Sequence, residues 1–274
     1  MTFRLWLPAV WVAIGAFIIY GHSIVVGVFQ YDDLHSIVGN QRLQSLAQVP
    51  SYFTDPGAFS SLIFGGMFRP LLLTSYAITD AVAGQNPAAY HFGNVAIHAL
   101  VGVLVTALLL RLGSGAAGAV FGGLVFVAHP VNVEAATYVS SRSESMCTLF
   151  LLITLWIWCG GPARSAWRLV LGPCVFALAL LSKSVGIILP ALLLAHDAMH
   201  HLVVLAEPGL VAGVSVASWA ILGCCRYLSG LCFKQSGSCS AHRSRARSGR
   251  TGGDPDEGAR LLPAVAGVAS WIEC

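Results

Sequence analysis

Charged side chains are scarce in this chain: 10% of its 274 residues are Asp, Glu, Lys or Arg, while 56% are of hydrophobic type. A soluble domain carries about 25% charged residues. The composition therefore excludes a soluble enzyme, a disordered chain and a nucleic-acid-binding domain, and points to a polytopic membrane protein. Other signals are missing too. No C-x-x-C pair supports zinc or thioredoxin-type chemistry, and no N-x-[ST] sequon occurs. There is no G-K-[ST], so P-loop chemistry has no motif. The eight cysteines do not form a disulfide framework; Cys147, Cys159 and Cys174 lie in apolar stretches, where Cys behaves as a small hydrophobe.

The few charges are unevenly placed. Residues 1–225 hold eight Lys/Arg and eight Asp/Glu; residues 226–274 hold seven basic and four acidic residues, so the whole +3 excess sits in that tail. There Ser, Gly, Arg and Cys replace Leu, Val and Ala, and the run Arg243–Arg250 lacks apolar periodicity. The chain divides into a membrane domain, 1–225, and a basic tail, 226–274, that is disordered or the product of a shifted reading frame.

A bilayer core of about 30 Å needs roughly 20 apolar residues in a helix. Residues 5–31, 81–110, 112–133, 145–163 and 208–225 contain no Asp, Glu, Lys or Arg. Two shorter stretches, 169–182 and 184–196, flank Lys183 and read as a hairpin or a broken helix. The expectation is an all-α bundle of about seven spans, the first a retained anchor. The positive-inside rule sets Arg4, Arg111 and the Arg164–Arg168 connection on the cytoplasmic side with the N-terminus. The long loop of about 30–91, the segment 129–145 and Lys183 then face outward. Asp55-Pro56-Gly57 signals a turn in that loop, whose aromatic residues suit interfacial helices. Asn86-Pro87 reads as an N-cap and first helical residue opening the second span.

Acidic residues near apolar spans are functional candidates by default. Tyr31-Asp32-Asp33 follows the first span directly. Burial and a like-charged neighbour raise a carboxylate towards a general-base range. Asp32 is slightly favoured as the base, with Asp33 orienting a partner or metal. A second cluster runs from His129-Pro130 through Asn132 and Glu134 to Tyr138, Arg142 and Glu144. Continued helix would put Glu134, Tyr138 and Arg142 on one face, suited to a phosphate or a sugar. Arg69, Arg142 and Lys183 are cations able to neutralise a phosphate. His91, Asn94 and His98 share a helix face by their spacing, and a helix–helix hydrogen bond is expected of His98.

The order of these motifs resembles the membrane half of the transmembrane and tetratricopeptide-repeat O-mannosyltransferases. Those enzymes sit in the GT-C class of polytopic glycosyltransferases that use polyprenyl-phosphate sugars. The matching pieces are Phe29-Gln30-Tyr31-Asp32-Asp33, Phe68-Arg69-Pro70-Leu71, Tyr90-His91-Phe92-Gly93-Asn94 with His98, His129-Pro130-Val131-Asn132-Val133-Glu134 leading to Arg142, and Leu181-Ser182-Lys183 with Leu189-Pro190. The resemblance covers about residues 5–200. Ser184 stands where the family often has Glu, and Asn132 where a second His is common.

The resemblance implies transfer of mannose, or another hexose, from a polyprenyl-phosphate donor to a Ser or Thr hydroxyl of a protein acceptor, with inversion. Asp32 or Asp33 would be the base. Arg69, Arg142 and Lys183 would hold the donor phosphate, while His91, His129, Glu134 and Glu144 orient substrate. No cofactor or resident metal is expected; a divalent ion suits paired carboxylates but the resemblance does not favour it. The partners implied are the lipid-linked donor, a Ser/Thr protein acceptor and membrane lipids, without nucleic acid. The setting is a bacterial inner membrane or the endoplasmic reticulum membrane. A transporter or flippase for a lipid-linked or anionic substrate is the alternative; it calls for mid-membrane charges and repeated halves, whereas the charges here cluster at span ends.

Overall fold

The structure, a computed structural model, describes residues 3–62, 66–159 and 166–195. The seventh apolar stretch, 208–225, and the tail 226–274 lie outside the described residues. All regular structure within them is helical: α1 (Phe3–Val26), α2 (Val49–Tyr52), α3 (Pro70–Ala83), α4 (Pro87–Arg111), α5 (Ala116–Ala128), α6 (Val133–Thr137), α7 (Arg142–Trp158) and α8 (Ala166–Ser182), with a π-helical turn at Leu34–Val38, short 3-10 turns between several of them, and helical residues 189–195 at the end. No strand occurs among the described residues.

Two helices are long and apolar enough to cross a membrane, Leu7–Val26 and Pro87–Arg111. At 1.5 Å per residue α4 is about 38 Å long. Its start is as the sequence indicated: the Asn86 side chain accepts a hydrogen bond from the Ala88 amide at 3.1 Å, and Pro87 opens the helix.

The other expected spans are corrected. Ala116–Ala128 and Pro130–Thr137 amount to one further span only if taken together across a 54° bend. The bend has a local cause. His129 precedes a proline, whose ring disfavours helical backbone at that position, and His129 is extended at φ −65°, ψ 129°. The helix α7 has 17 residues, and α8 has 17 with Pro173 inside it. The chain breaks at Lys183, which is extended at φ −158°, ψ 138°, before the turn Ser184–Ile188. Two to three candidates thus stand where six of the expected seven spans fall on the described residues. A count of uncharged residues overlooks the break at His129-Pro130, which backbone geometry sets, while the break at Lys183 falls where a hairpin or broken helix was expected.

Three apolar clusters hold the described part together. The first joins α1, α4 and α5 through Val12, Ala16, Tyr20, Val95, Ala99 and Val127. Small residues let these helices approach closely. A Cβ on Gly102 would lie 2.5 Å from Val127 Cγ2, and one on Gly123 would lie 2.1 Å from Thr106 Oγ1. The second cluster packs the loop over α3 and α4: Ile37, Leu43, Tyr52, Phe59, Leu72, Tyr76 and Tyr90. Within that loop Asp55 caps the Pro56–Phe59 turn through the Gly57 amide at 2.8 Å, and Arg42 pairs with it. The third cluster ties α7 to α8 and to Leu189 beyond the Lys183 break through Cys147, Phe176 and Ala179.

Candidate functional site

Where α1 ends, the chain turns sharply through Tyr31, held at φ 44°. That left-handed value is uncommon for a bulky side chain and costs on the order of 1–3 kcal/mol. The Asp33 side chain holds the turn in place. Its Oδ2 accepts from the Gln30 amide at 3.1 Å and its Oδ1 from the Ser140 hydroxyl at 2.6 Å. Asp33 is 1% exposed. Burial pushes its carboxyl above the ordinary 3.8, opposed by the Ser140 and Gln30 hydrogen bonds and by nearby His91.

The neighbouring acid is placed differently. The Asp32 side chain is 53% exposed, with Oδ1 3.5 Å from His35 Nε2. Its backbone amide donates to the Tyr138 hydroxyl at 3.1 Å. The adjacent pair is therefore split into one reachable carboxylate and one internal carboxylate that braces the turn beneath it.

Beside this turn opens a cleft of about 470 Å³, lined among others by His22, Gly27, Tyr31, His91, Glu134 and Tyr138. His91 is 4% exposed, and neither ring nitrogen has a hydrogen-bond partner. It packs against Gly27 so closely that a Cβ there would lie 2.4 Å from Nε2. Glu134, on α6, is exposed and accepts from the Ser141 hydroxyl at 3.4 Å.

The expected stripe of Glu134, Tyr138 and Arg142 on one helix face does not form. The helix ends at Thr137, Tyr138 is extended at φ −92°, ψ 124°, and a 3-10 turn, Val139–Ser141, precedes α7. Tyr138 turns its hydroxyl to Asp32, and Arg142 turns inward. There its Nε donates to Asn94 Oδ1 at 2.7 Å and its Nη2 to the Tyr90 carbonyl at 2.8 Å. Nη1 donates to Thr79 at 3.2 Å and Ser75 at 3.3 Å. The guanidinium also lies over the Tyr76 ring, 4.9 Å from its centroid. At 1% exposure, Arg142 is closed off from any ligand in this arrangement.

The other candidates stand outside the cleft's walls. Arg69 donates to Ser143 Oγ at 3.2 Å and lies over Phe59. Lys183 is paired with Glu144. His129 is exposed and accepts from the Val131 amide at 3.2 Å, capping its own turn. His98 donates from Nε2 to the Val127 carbonyl of α5 at 3.3 Å, the helix–helix bond expected of it. Thus His91 and Glu134 line the cleft and Asp32 and Asp33 stand on the turn that follows its residues Gln30 and Tyr31, while the three expected phosphate cations do neither. Among the described residues no three His, Cys, Asp or Glu side chains group as a metal site.

Sequence reasoning missed three partners: Ser140 for Asp33, Tyr138 for the Asp32 amide, and Asn94 for Arg142. Each joins residues 48 or more positions apart. No local spacing signals such pairs.

No family model matches the chain, and no solved structure matches it. Among curated proteins it is 32% identical over 130 residues to the protein O-mannosyl-transferase TMTC2 of Mus musculus and of Homo sapiens, covering 46% of this chain and 16% of each relative. It is 27% identical over 175 residues to the protein O-mannosyl-transferase TMTC3 of Mus musculus, covering 61% of this chain and 19% of that protein. For the protein O-mannosyl-transferase TMTC4 of Homo sapiens the figures are 25% over 186 residues, 59% and 25%. The resemblance read from the motifs is therefore to proteins of that name. The matched part spans about a sixth of the length of the first of these relatives.

Proposed function

We propose that this chain carries the donor-and-acceptor end of a membrane protein glycosyltransferase. It moves mannose, or another hexose, from a polyprenyl-phosphate donor to a Ser or Thr hydroxyl of a protein. The observation that carries this is the divided acid pair: Asp32 reachable beside the cleft, Asp33 buried and bonded to Ser140 and Gln30. The names of the relatives support the class of reaction. In this reading Asp32 takes the proton from the acceptor hydroxyl as its oxygen bonds to the anomeric carbon. The bond from that carbon to the phosphate oxygen breaks on the opposite face, and prenyl phosphate leaves with both electrons. Inversion follows from that geometry.

The reading retains Arg69 and Lys183 as groups that approach the departing phosphate. It assigns Arg142 to the scaffold, since its donors are spent on Asn94, Tyr90, Ser75 and Thr79. Glu134 and His91 orient substrate. The cleft end of α1 faces outward, to the lumen or periplasm, with the N-terminus cytoplasmic and several spans anchoring the chain.

The test is transfer of radiolabelled mannose from a prenyl-phosphate donor to protein in membranes containing the full chain. Incorporation that Asp32→Asn abolishes is the expected result. Equal incorporation by wild type and Asp32→Asn overturns the assignment.

A further inference from the structure

Resting on that reading, we propose that His35 is the positioning residue of the Asp32 base: bracketed by Ser60 and Ser61, its ring turns one N–H to the reachable carboxylate and holds it in one orientation. His35 lies in the π-turn Leu34–Val38, which the Gly39 amide closes on the Leu34 carbonyl at 2.8 Å. Such turns are rare and recur at functional sites. This one sets the His35 ring beside the residue three positions earlier, with Nε2 3.5 Å from Asp32 Oδ1. The Ser36 hydroxyl steadies the same residue by donating to the Asp32 carbonyl at 2.7 Å.

The bracket comes from the other end of the loop. The Ser61 amide and hydroxyl both donate to the His35 carbonyl, at 3.0 and 3.1 Å. The Ser60 hydroxyl lies 3.0 Å from His35 Nδ1. That contact fixes the tautomer. Ser60 Oγ already accepts from the Leu62 amide at 2.9 Å, which leaves its own hydrogen to donate to Nδ1. Nδ1 is then the acceptor, Nε2 carries the proton, and the N–H faces Asp32. At 3.5 Å the contact is longer than a strong hydrogen bond, so the carboxylate keeps lone pairs free to take a proton.

Asp32, His35 and Ser60 do not make a hydrolytic triad. Ser60 is buried, is not part of the cleft wall, and has its oxygen engaged by the Leu62 amide, so it is not placed as a nucleophile. The contacts run instead from a reachable acid inward to a buried hydroxyl, as a support does. An exposed carboxylate on its own turns freely in water. The braced imidazole supplies the orientation that a base needs.

The experiment reads the ring first and transfer second. The full chain, with histidine labelled at the ring nitrogens, is studied by NMR in nanodiscs at alkaline pH, where imidazoles are neutral. The His35 signals are assigned by their loss in His35→Gln. Wild type is expected to show Nε2 protonated and Nδ1 bare. Ser60→Ala and Asp32→Leu are each expected to let the two tautomers mix. In mannose transfer, His35→Leu is expected to lower kcat about tenfold with KM unchanged, less than the roughly hundredfold of a 1 Å misplacement, because the carboxylate stays reachable. His35→Gln, whose amide nitrogen reaches the place of Nε2, is expected to restore most of the rate. His35→Asn, which reaches only the place of Nδ1, is expected not to.

A ring that populates both tautomers in wild type overturns the inference, as does a tautomer indifferent to both Ser60→Ala and Asp32→Leu. So does Asp32-dependent transfer that His35→Leu leaves at the wild-type kcat, or a loss that His35→Gln repairs no better than His35→Asn. The two readings fail separately. A fixed ring that responds to both variants, in a chain with no transfer, refutes the transferase reading alone. Transfer that needs Asp32 but not His35 refutes the positioning role alone.

Discussion

Replacing Arg142 with Met tests whether this cation is scaffold or ligand site. The side chain makes four hydrogen bonds at 2.7 to 3.3 Å while 1% exposed. Two of its acceptors keep other bonds without it: the Ser75 hydroxyl donates to Leu72 and the Thr79 hydroxyl to Ser75. The Asn94 carbonyl oxygen is the acceptor that is stranded. A buried acceptor left alone costs about 1–3 kcal/mol, and a bond from a charged donor contributes about 1.5–3 kcal/mol. Against these stands the relief of no longer burying a guanidinium. The net expectation is a loss of about 2–4 kcal/mol. Equilibrium unfolding in mixed micelles, followed by tryptophan fluorescence, measures it. A cycle with Asn94→Leu isolates the pair, since Asn94 also donates to the Tyr138 carbonyl at 2.7 Å. The coupling is expected at about 1.5–3 kcal/mol. A loss within about 0.5 kcal/mol, the range of ordinary surface changes, or a coupling near zero, refutes the scaffold assignment.

Asp33 carries a pH signature. Its folded pKa lies above 3.8 through burial, so the folded state holds the proton more tightly than the unfolded chain. Its contribution to stability is complete below 3.8 and is lost as pH rises through the folded value. Asp33→Asn is expected to remove that loss, flattening the pH dependence of unfolding in acid; an unchanged slope contradicts it. Gly27→Ala places a Cβ 2.3 Å from the Ser23 carbonyl oxygen and 2.4 Å from the His91 ring. It is expected to cost about 1–3 kcal/mol as overpacking, and wild-type stability speaks against the close contact. Lys183→Ala breaks the pair with Glu144, whose side chain is 49% exposed. The expected change in unfolding free energy is under about 1 kcal/mol; a larger loss would mean the pair is buried in the working protein.

Much of the helical framework was legible because its signals are local. Uncharged length marks α1 and α4, Asn86-Pro87 marks a start, and Asp55-Pro56-Gly57 marks a turn. The number of spans was not legible. The break at His129-Pro130 divides an apolar stretch that composition treats as continuous, whereas the break at Lys183 falls where that charge already marked one. At the site, the sequence drew attention to the acid pair and to His91. It could not tell which acid is exposed, because that depends on Ser140, 107 residues away. It could not tell that Arg142 turns inward to Asn94, because an arginine near acids and histidines looks alike whether it faces a cleft or an asparagine on another helix.

The segment Tyr138 to Arg142 accounts for how the acid turn is held, and Ser140 is where that account is most exposed to test. Within five residues the chain bonds the Asp32 amide through Tyr138, Asp33 through Ser140, and Asn94 through both the Tyr138 carbonyl and Arg142. The Val139 carbonyl accepts from Tyr76 at 2.9 Å. Preorganisation of this kind positions a reactive group through its supports. Ser140→Ala removes one hydrogen bond to Asp33 and opens a space the size of a hydroxyl. When Asp33 is ionised that bond contributes about 1.5–3 kcal/mol; to the neutral acid it contributes about 1 kcal/mol. Because the bond lowers the Asp33 pKa, its loss raises that pKa further. The variant therefore sheds stability over a wider span of rising pH than wild type does. The gap between the two proteins is expected to be small in acid and to grow towards neutrality. Unfolding of both, measured from about pH 4 to about pH 8, decides it. A gap of constant size across that range would mean that Ser140 packs against Asp33 without holding its charge, and that the strained Tyr31 turn is braced elsewhere.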